Sequence, residues 1–350
     1  MNASEAGFWH FGMEVNMKAA IVGCGNIAAV HAESIGRLEG VTLAAAADIR
    51  PERAEKYGEK YGLRPYSSLE NMLEEVKPDV LHICTPHYLH VPMTQYALTR
   101  GIHVFCEKPP VISQQQLTGL EEAVKKGPGR AGFCFQNRYN PSILFVKELL
   151  ASGGAGRIRG ARGLVTWNRQ AAYYTESGWR GRMDTEGGGA LINQSIHTMD
   201  LLGFLMGKPV SVEAQTANHH LPGVIEVEDM MEAYIRYEDA AACFYATTAY
   251  TEDAPPLIEL SCENMVIRIE DLEVTLLYRD GRREKPEIDR KQALGKSYWG
   301  SGHLDCISDF YRCLKSGERF AQDLDGVRDT VRLMLAAYES AGCGGKEIQL

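Results

Sequence analysis

The segment Gly23-Cys-Gly25-Asn-Ile-Ala28 constrains the fold more than any other stretch of the chain. It follows a short apolar run, Lys18–Gly23, and opens a helical pattern that reaches about Leu38. A G-x-G-x-x-A run is a weak signal alone. Between a strand and a helix it is a dinucleotide fingerprint. Gly23 permits the tight turn, Gly25 lets backbone approach a pyrophosphate, and Ala28 allows close helix–strand packing. The free N–H groups at the helix start, over Asn26, Ile27 and Ala28, then meet the phosphates with the positive end of the helix dipole.

The alternation continues. Val41–Ala47 is a second apolar run that ends at Asp48, and Pro51–Tyr61 reads as a helix stopped by Gly62. Asp79–Thr85 is a third strand, closed by Pro86. His90–Arg100 is a helix with Pro92 in its first turn and Gly101 past its end. His103–Cys106 is a fourth strand, and Ser113 with Gln116 forms a capping box for a helix to about Lys126. Arg130–Phe135 is a fifth strand. Repeated strand–helix units of this kind build a parallel sheet.

Beyond this point the pattern changes. Pro141–Leu150 reads as a linking helix and Ser152–Gly156 as a break. Arg159–Trp167 reads as a strand, and Gly189–Met206 as one long helix. Strand-like runs follow in series: Val210–Thr216, Asp229–Tyr237, Ala240–Thr248, Leu257–Glu263, Val266–Ile269 and Val274–Tyr278. Two helices close the chain, about His303–Ser316 and Gly326–Ala341. The expected architecture is α/β: a tail over 1–16, a Rossmann dinucleotide-binding domain over 17–138, and an α+β domain with a large, mostly antiparallel open sheet over 139–350. Met17 is a candidate natural start.

A formal net charge of −9 over 350 residues argues against a nucleic-acid partner, which needs a basic face. No apolar run reaches the roughly 18 residues of a membrane span, and residues 1–16 lack the pattern of a secretory signal. The nine cysteines include no C-x-x-C pair. Cys84, Cys106, Cys134 and Cys243 sit in apolar runs and are expected to be buried, reduced thiols, which fits a cytoplasmic protein. His219-His220 has no partner at metal spacing, so no metal site is expected.

In an open parallel sheet, ligands bind beyond the carboxyl ends of the strands. Asp48 lies there, placed to bind the adenosine ribose hydroxyls and to repel a 2′-phosphate, which favours NAD over NADP. Arg50 would attract that phosphate. Thr85, Pro86 and His87, with His90 and Glu107, are expected to line the cofactor cleft. Lys108 is the sharper candidate. An ammonium beside the nicotinamide would polarise the reacting oxygen. The same lysine reads as well as a surface residue paired with Glu107.

Four runs together resemble the glucose-fructose oxidoreductase / inositol dehydrogenase / rhizopine-catabolism protein family, Gfo/Idh/MocA. They are Gly23-x-Gly25-x-x-Ala28, Thr85-Pro86-His87-x-x-His90, Gly101-x-His103-Val104-x-Cys106-Glu107-Lys108-Pro109, and Gly187-Gly-Gly-Ala-Leu-Ile-Asn193-Gln-Ser-Ile-His197-Thr-Met-Asp200. The resemblance covers about Met17 to Leu350. It implies NAD(P)-linked hydride transfer at a carbinol carbon of a sugar, polyol or sugar derivative, and homodimers or homotetramers built on the open sheet. It implies that Lys108 contacts nicotinamide and substrate and that His197 is the acid/base. Asn193 and His197 are four residues apart, so a regular helix puts them on one face, with Asp200 available to orient the imidazole. Many members carry aspartate where this chain has Asn193, and an amide cannot raise the histidine pKa as a carboxylate does.

Further substrate contacts are expected from Arg138, from Trp179 as a stacking plane, from Arg180 as a partner for a carboxylate or phosphate, and from His303 after the aromatic loop Tyr298-Trp299-Gly300. A sugar or dinucleotide sensor of the same fold and an NAD-dependent glycosidase are the competing readings.

Overall fold

A computed structural model of the protein describes residues 16–289, 294 and 300–350. The N-terminal tail and Tyr298-Trp299 lie outside the described residues. The first half holds β1 (Met17–Val22), α1 (Asn26–Ile35), β2 (Val41–Ala47), α2 (Pro51–Tyr61), β3 (Arg64–Tyr66), α3 (Leu69–Val76), β4 (Val80–Ile83), α4 (His90–Leu98), β5 (His103–Cys106), α5 (Gln114–Lys126) and β6 (Ala131–Phe133). The strands form one parallel sheet in the order β3-β2-β1-β4-β5-β6. The order reverses between β1 and β4, and that switch point opens a crevice at the strand ends.

The caps follow the sequence. Pro51 starts α2 and Gly62 ends it at φ 68, a left-handed cap open to glycine. Ser113 Oγ accepts from the Gln116 N–H at 3.2 Å. The Gln116 side chain reaches one residue further back than a standard box and accepts from the Ile112 N–H. Between α2 and β4, β3 and α3 were not expected. β3 is three residues long with a proline at its centre, too short to show alternation.

The second half holds α6 (Pro141–Ala151), β7 (Ile158–Thr166), α7 (Ala171–Thr175), α8 (Ile196–Met206), β8 (Ser211–Ala217), β9 (Met230–Arg236), β10 (Ala241–Thr247), β11 (Leu257–Cys262), β12 (Met265–Glu270), β13 (Glu273–Tyr278), β14 (Arg283–Glu284), α9 (His303–Ser316), α10 (Leu324–Gly342) and β15 (Ile348–Gln349). Nine strands form a sheet in the order β14-β13-β12-β11-β7-β10-β9-β8-β15. All its pairings are antiparallel except β7 with β10. α8 and α10 cover one face and share a core with Val165, Val212, Met231 and Phe244. The alternation of β10 turns Cys243 outward, so this cysteine is exposed rather than buried.

Two features depart from the simple two-domain reading. α9 folds back onto the first sheet, where Phe310 meets Phe105 at 5.2 Å between ring centres and Tyr311 joins the same core. Each fully buried phenylalanine there is worth roughly 1.5–3 kcal/mol in removed apolar surface. The second departure is the helix expected over Gly189–Met206. Residues Ala190–Ser195 form a wide π-turn, and the regular helix begins only at Ile196.

Candidate active site

The glycine turn after β1 is shaped by contact with β4. Gly23 has φ +88, and a Cβ there would lie 2.6 Å from the Cys84 carbonyl oxygen. Gly25 precedes α1, and a Cβ there would meet nothing within 4 Å. Among the described residues no side chain caps this helix, which leaves its first N–H groups able to meet an anion. Asp48 ends β2 and accepts from the Cys24 N–H at 2.8 Å and the Arg50 N–H at 2.9 Å. An open backbone cradle at an uncapped helix start, flanked by a carboxylate, fits a dinucleotide.

At the end of β5 the neighbouring pair Glu107-Lys108 divides. Glu107 turns inward and is 6% exposed. Its Oε1 lies 2.9 Å from His31 Nε2, and His31 Nδ1 lies 2.9 Å from His82 Nδ1. His82 Nε2 continues to the Tyr311 hydroxyl at 2.9 Å. Burial opposes charge on His31, but the contacts with Cys134 and Glu107 outweigh it and hold the ring at about 9. Glu107 is pushed far below the ordinary carboxylate range: burial works against its charge, and His31 overrides burial. The pair is therefore an internal ion pair at neutral pH. Protonated His31 donates to His82, which burial and the neighbouring His31 charge keep neutral.

Lys108 points the other way, across the seam between the halves. Its Nζ donates to the main-chain oxygen of Asn193 at 2.8 Å. A regular α-helix would give that oxygen to the N–H of residue 197. It lies instead within the π-turn, a distortion of a kind that recurs at functional sites. The Asn193 side chain goes elsewhere: its Nδ2 donates to Glu186 Oε1 at 2.5 Å and to the Tyr173 hydroxyl at 3.4 Å. Burial raises Glu186 to about 7 against its hydrogen bonds from the Gly181 N–H and Asn193.

His197 opens the regular helix beside this cluster. Its Nδ1 is buried without a partner among the described residues, and its Nε2 lies 3.4 Å from the Gln136 amide nitrogen. Burial and then the Lys108 charge push its pKa well below the usual histidine value. Burial, with a smaller contribution from Arg180, lowers Lys108 against the pull of Glu107. The site thus sets a neutral imidazole beside a partly desolvated ammonium, at the edge of the dinucleotide cradle.

Two family descriptions fit the chain. "Oxidoreductase family, NAD-binding Rossmann fold" (GFO_IDH_MocA) matches residues 17–132, and "GFO/IDH/MocA C-terminal domain" matches residues 143–268. The chain belongs to the Gfo/Idh/MocA oxidoreductase family. Its first half is that family's NAD-binding fold. D-glucoside 3-dehydrogenase of Escherichia coli (strain K12) is 31% identical over 197 residues, 55% of each chain. This chain therefore spans about half the length of that relative. The WlbA dehydrogenase from Bordetella pertussis, solved with NADH and UDP-GlcNAcA, superposes with a TM-score of 0.83 at 28% identity over 96% of this chain and 99% of that one. Levoglucosan dehydrogenase, solved with NADH and levoglucosan, shares the fold with a TM-score of 0.86 at 20% identity, over 95% of this chain and 99% of that one.

Not every Gfo/Idh/MocA residue expected at the site faces it. The Arg138 guanidinium is held by Asp200 at 2.5 and 2.9 Å and by the Gly326 carbonyl, and it lines a cavity behind α8 with Met199, Phe204 and Leu333. Asp200, also bonded to Thr330, therefore orients Arg138 and not His197. The His90 ring sits between the carbonyls of Pro109 (2.7 Å) and Thr85 (2.9 Å), so it braces two strand-end turns and does not face a cofactor. His87 Nδ1 lies 2.8 Å from the Glu186 carbonyl and its ring meets Trp179 edge-on at 4.8 Å, again as a seam contact. The buried Glu107 carboxylate likewise serves His31. His303 is buried, and Glu107, His31 and Lys108 all act on it; burial carries it down to about 4.

Glu186, Glu228, Tyr338 and Gln136 were not anticipated. Glu228 accepts from the Gly189 and Leu191 N–H groups and from the Tyr338 hydroxyl, which fixes the glycine run under the π-turn. A Cβ at Gly189 would lie 2.1 Å from the Glu228 carbonyl oxygen, so only glycine fits. A glutamate directly before three glycines was the available signal for Glu186.

Proposed function

We propose that this chain oxidises a carbinol carbon of a sugar, polyol or sugar derivative, with Lys108 and His197 as the groups that touch the reacting alcohol. Bound NAD supplies the hydride acceptor, held over Gly23, Gly25 and the start of α1 with its ribose at Asp48. One observation carries the reading: the Lys108 Nζ contact joins the strand-end ammonium of the NAD-binding half to the Asn193 carbonyl, where its charge acts on His197.

The chemistry follows from the two environments. Neutral His197 has a lone pair for the alcohol proton, which an imidazolium would lack. Lys108, fixed by the carbonyl, presents its remaining N–H bonds to the oxygen that gains negative charge as the C–H bond breaks. The lysine is already desolvated and aimed, so little reorganisation opposes the reaction. Trp179 offers an indole face for the sugar ring. We include in this reading assembly into a homo-oligomer through the outer face of the nine-stranded sheet, where Tyr234 and Cys243 are exposed.

A screen of NAD reduction over neutral sugars, polyols, uronates and nucleotide sugars tests it. NADH should form in proportion to an oxidised product. Binding of both ligands with no NADH would support a sensor instead, and aglycone release without net NADH a glycosidase.

A further inference from the structure

Arg180 is a half-buried cation with no side-chain acceptor among the described residues. Its Nε is buried and bonded to nothing among the described residues. Its guanidinium lies 4.4 Å from the Tyr173 ring and 4.9 Å from the Trp179 ring. Those faces hold the plane but accept none of its in-plane N–H groups. Leaving the Nε donor desolvated and unpaired is unfavourable, the more so on a charged group.

Elsewhere this fold gives half-buried arginines their acceptors. Arg138 has Asp200 and the Gly326 carbonyl. Arg169 stacks on Tyr173 as well, but it also binds Asp253, Gln194 and the Asn168 carbonyl. The acid close to Arg180 is Glu186, and its two oxygens are taken by the Gly181 N–H and Asn193 Nδ2. No ion pair joins Glu186 to Arg180 among the described residues. Arg180 is linked to the reacting centre through two residues: it packs on Tyr173, whose hydroxyl meets Asn193 Nδ2, and the Asn193 carbonyl binds Lys108. The Arg180 charge is felt at Lys108, at His87 and at Glu186. The cleft therefore carries two cations, and the carboxylates that act on Lys108, those of Glu107 and Glu186, are both already engaged.

We infer that Arg180 is the specificity-determining residue for an acidic substrate, a sugar derivative with a carboxylate or phosphate group on a carbon other than the one oxidised. The guanidinium edge left free between Tyr173 and Trp179 suits bidentate pairing with such an oxyanion. The intervening Tyr173 and Asn193 separate the anion from the alcohol at Lys108, so the two groups sit on different carbons. The inference rests on the dehydrogenase reading for the ligand's sugar character, whereas its test reads binding.

The test is calorimetric titration of the NADH complex with glucuronate, glucose 6-phosphate and glucose. At least one acidic sugar should bind tenfold or more tightly than glucose, a difference of about 1.4 kcal/mol. Preference for glucuronate identifies a carboxylate site, and preference for the phosphate a phosphate site. Arg180→Gln should erase the ratio, and Arg180→Lys, which keeps the charge, should restore part of it. The lysine variant also keeps the test open if the glutamine variant fails to fold. Equal affinity for glucose, no binding of either acidic sugar, or a ratio unchanged in Arg180→Gln would overturn the inference. NADH formation from NAD is followed separately. Turnover of glucose without acid preference defeats the anion site and leaves the dehydrogenase. Arg180-dependent acid binding without NADH defeats the dehydrogenase and leaves the anion site.

Discussion

The amide of Asn193 donates to the buried carboxyl of Glu186 at 2.5 Å. This contact explains why asparagine suits this position. An aspartate would set a second carboxyl against Glu186, and two carboxyls in contact cannot both ionise cheaply. Asn193→Asp should therefore lower kcat at least tenfold at pH 8. The loss should shrink toward pH 6, where Glu186, held near 7 by burial, keeps a proton. Steady-state rates across that range check it, and a variant as fast as the parent at pH 8 would contradict it.

The pH profile of kcat/KM should be a bell with both limbs moved down. His197 must be neutral to accept a proton, and its pKa lies well below 6.5, so the acid limb should fall below that value. Lys108 must be charged to polarise the oxygen, and its pKa is lowered from 10.5 by burial, so the basic limb should fall below 10.5. Lys108→Arg, whose charge persists at high pH, should remove the basic limb from whatever activity remains. No basic limb below pH 10.5 would refute the lysine assignment, and an acid limb at or above pH 6.5 the histidine assignment.

The His31–Glu107 pair makes a stability prediction. The folded pKa of His31, about 9, lies above the ordinary 6.5. Its contribution is complete below 6.5 and is lost as pH rises through about 9. Glu107 has the opposite sign: its contribution is present above the ordinary 4.5 and is lost as pH falls toward its depressed pKa. His31→Leu leaves a buried carboxylate alone and should cost about 3–5 kcal/mol in urea unfolding at pH 7. The double variant His31→Leu, Glu107→Leu should recover most of it. A single variant within 1 kcal/mol of the parent would show the pair is not ionised.

Cofactor choice should follow the Asp48 charge. Asp48→Asn keeps an acceptor for the Cys24 N–H at 2.8 Å but removes the repulsion of a 2′-phosphate. The ratio of kcat/KM with NADP to that with NAD should rise about tenfold, or 1.4 kcal/mol. An unchanged ratio would move the discrimination to Arg50 or elsewhere.

Much of this was legible in the sequence because it rests on local rules. The glycine fingerprint, the Pro51 start and Gly62 stop of α2, and the Ser113 cap each depend on a few adjacent residues. Lys108 and Asn193 were both readable as site residues. Their contact was not, because it joins a strand end to a π-turn 85 residues away, and a helical repeat of about four residues does not reveal a local fifth. Arg138 and His90 misled for the converse reason. Their acceptors, Asp200 and the Thr85 and Pro109 carbonyls, are brought to them by the fold. Glu186 gained its protonation state from burial and His31 its charge from Cys134 and Glu107; both depend on burying polar residues together, which apolar patterning predicts poorly.

The account stands on Lys108. Single-turnover NADH formation with a substrate found in the screen tests it most directly, with NAD affinity measured in parallel. Lys108→Ala should bind NAD within a few-fold of the parent and form NADH at least tenfold more slowly, about 1.4 kcal/mol of barrier. A variant that binds NAD equally and transfers hydride at the parent rate would contradict the account.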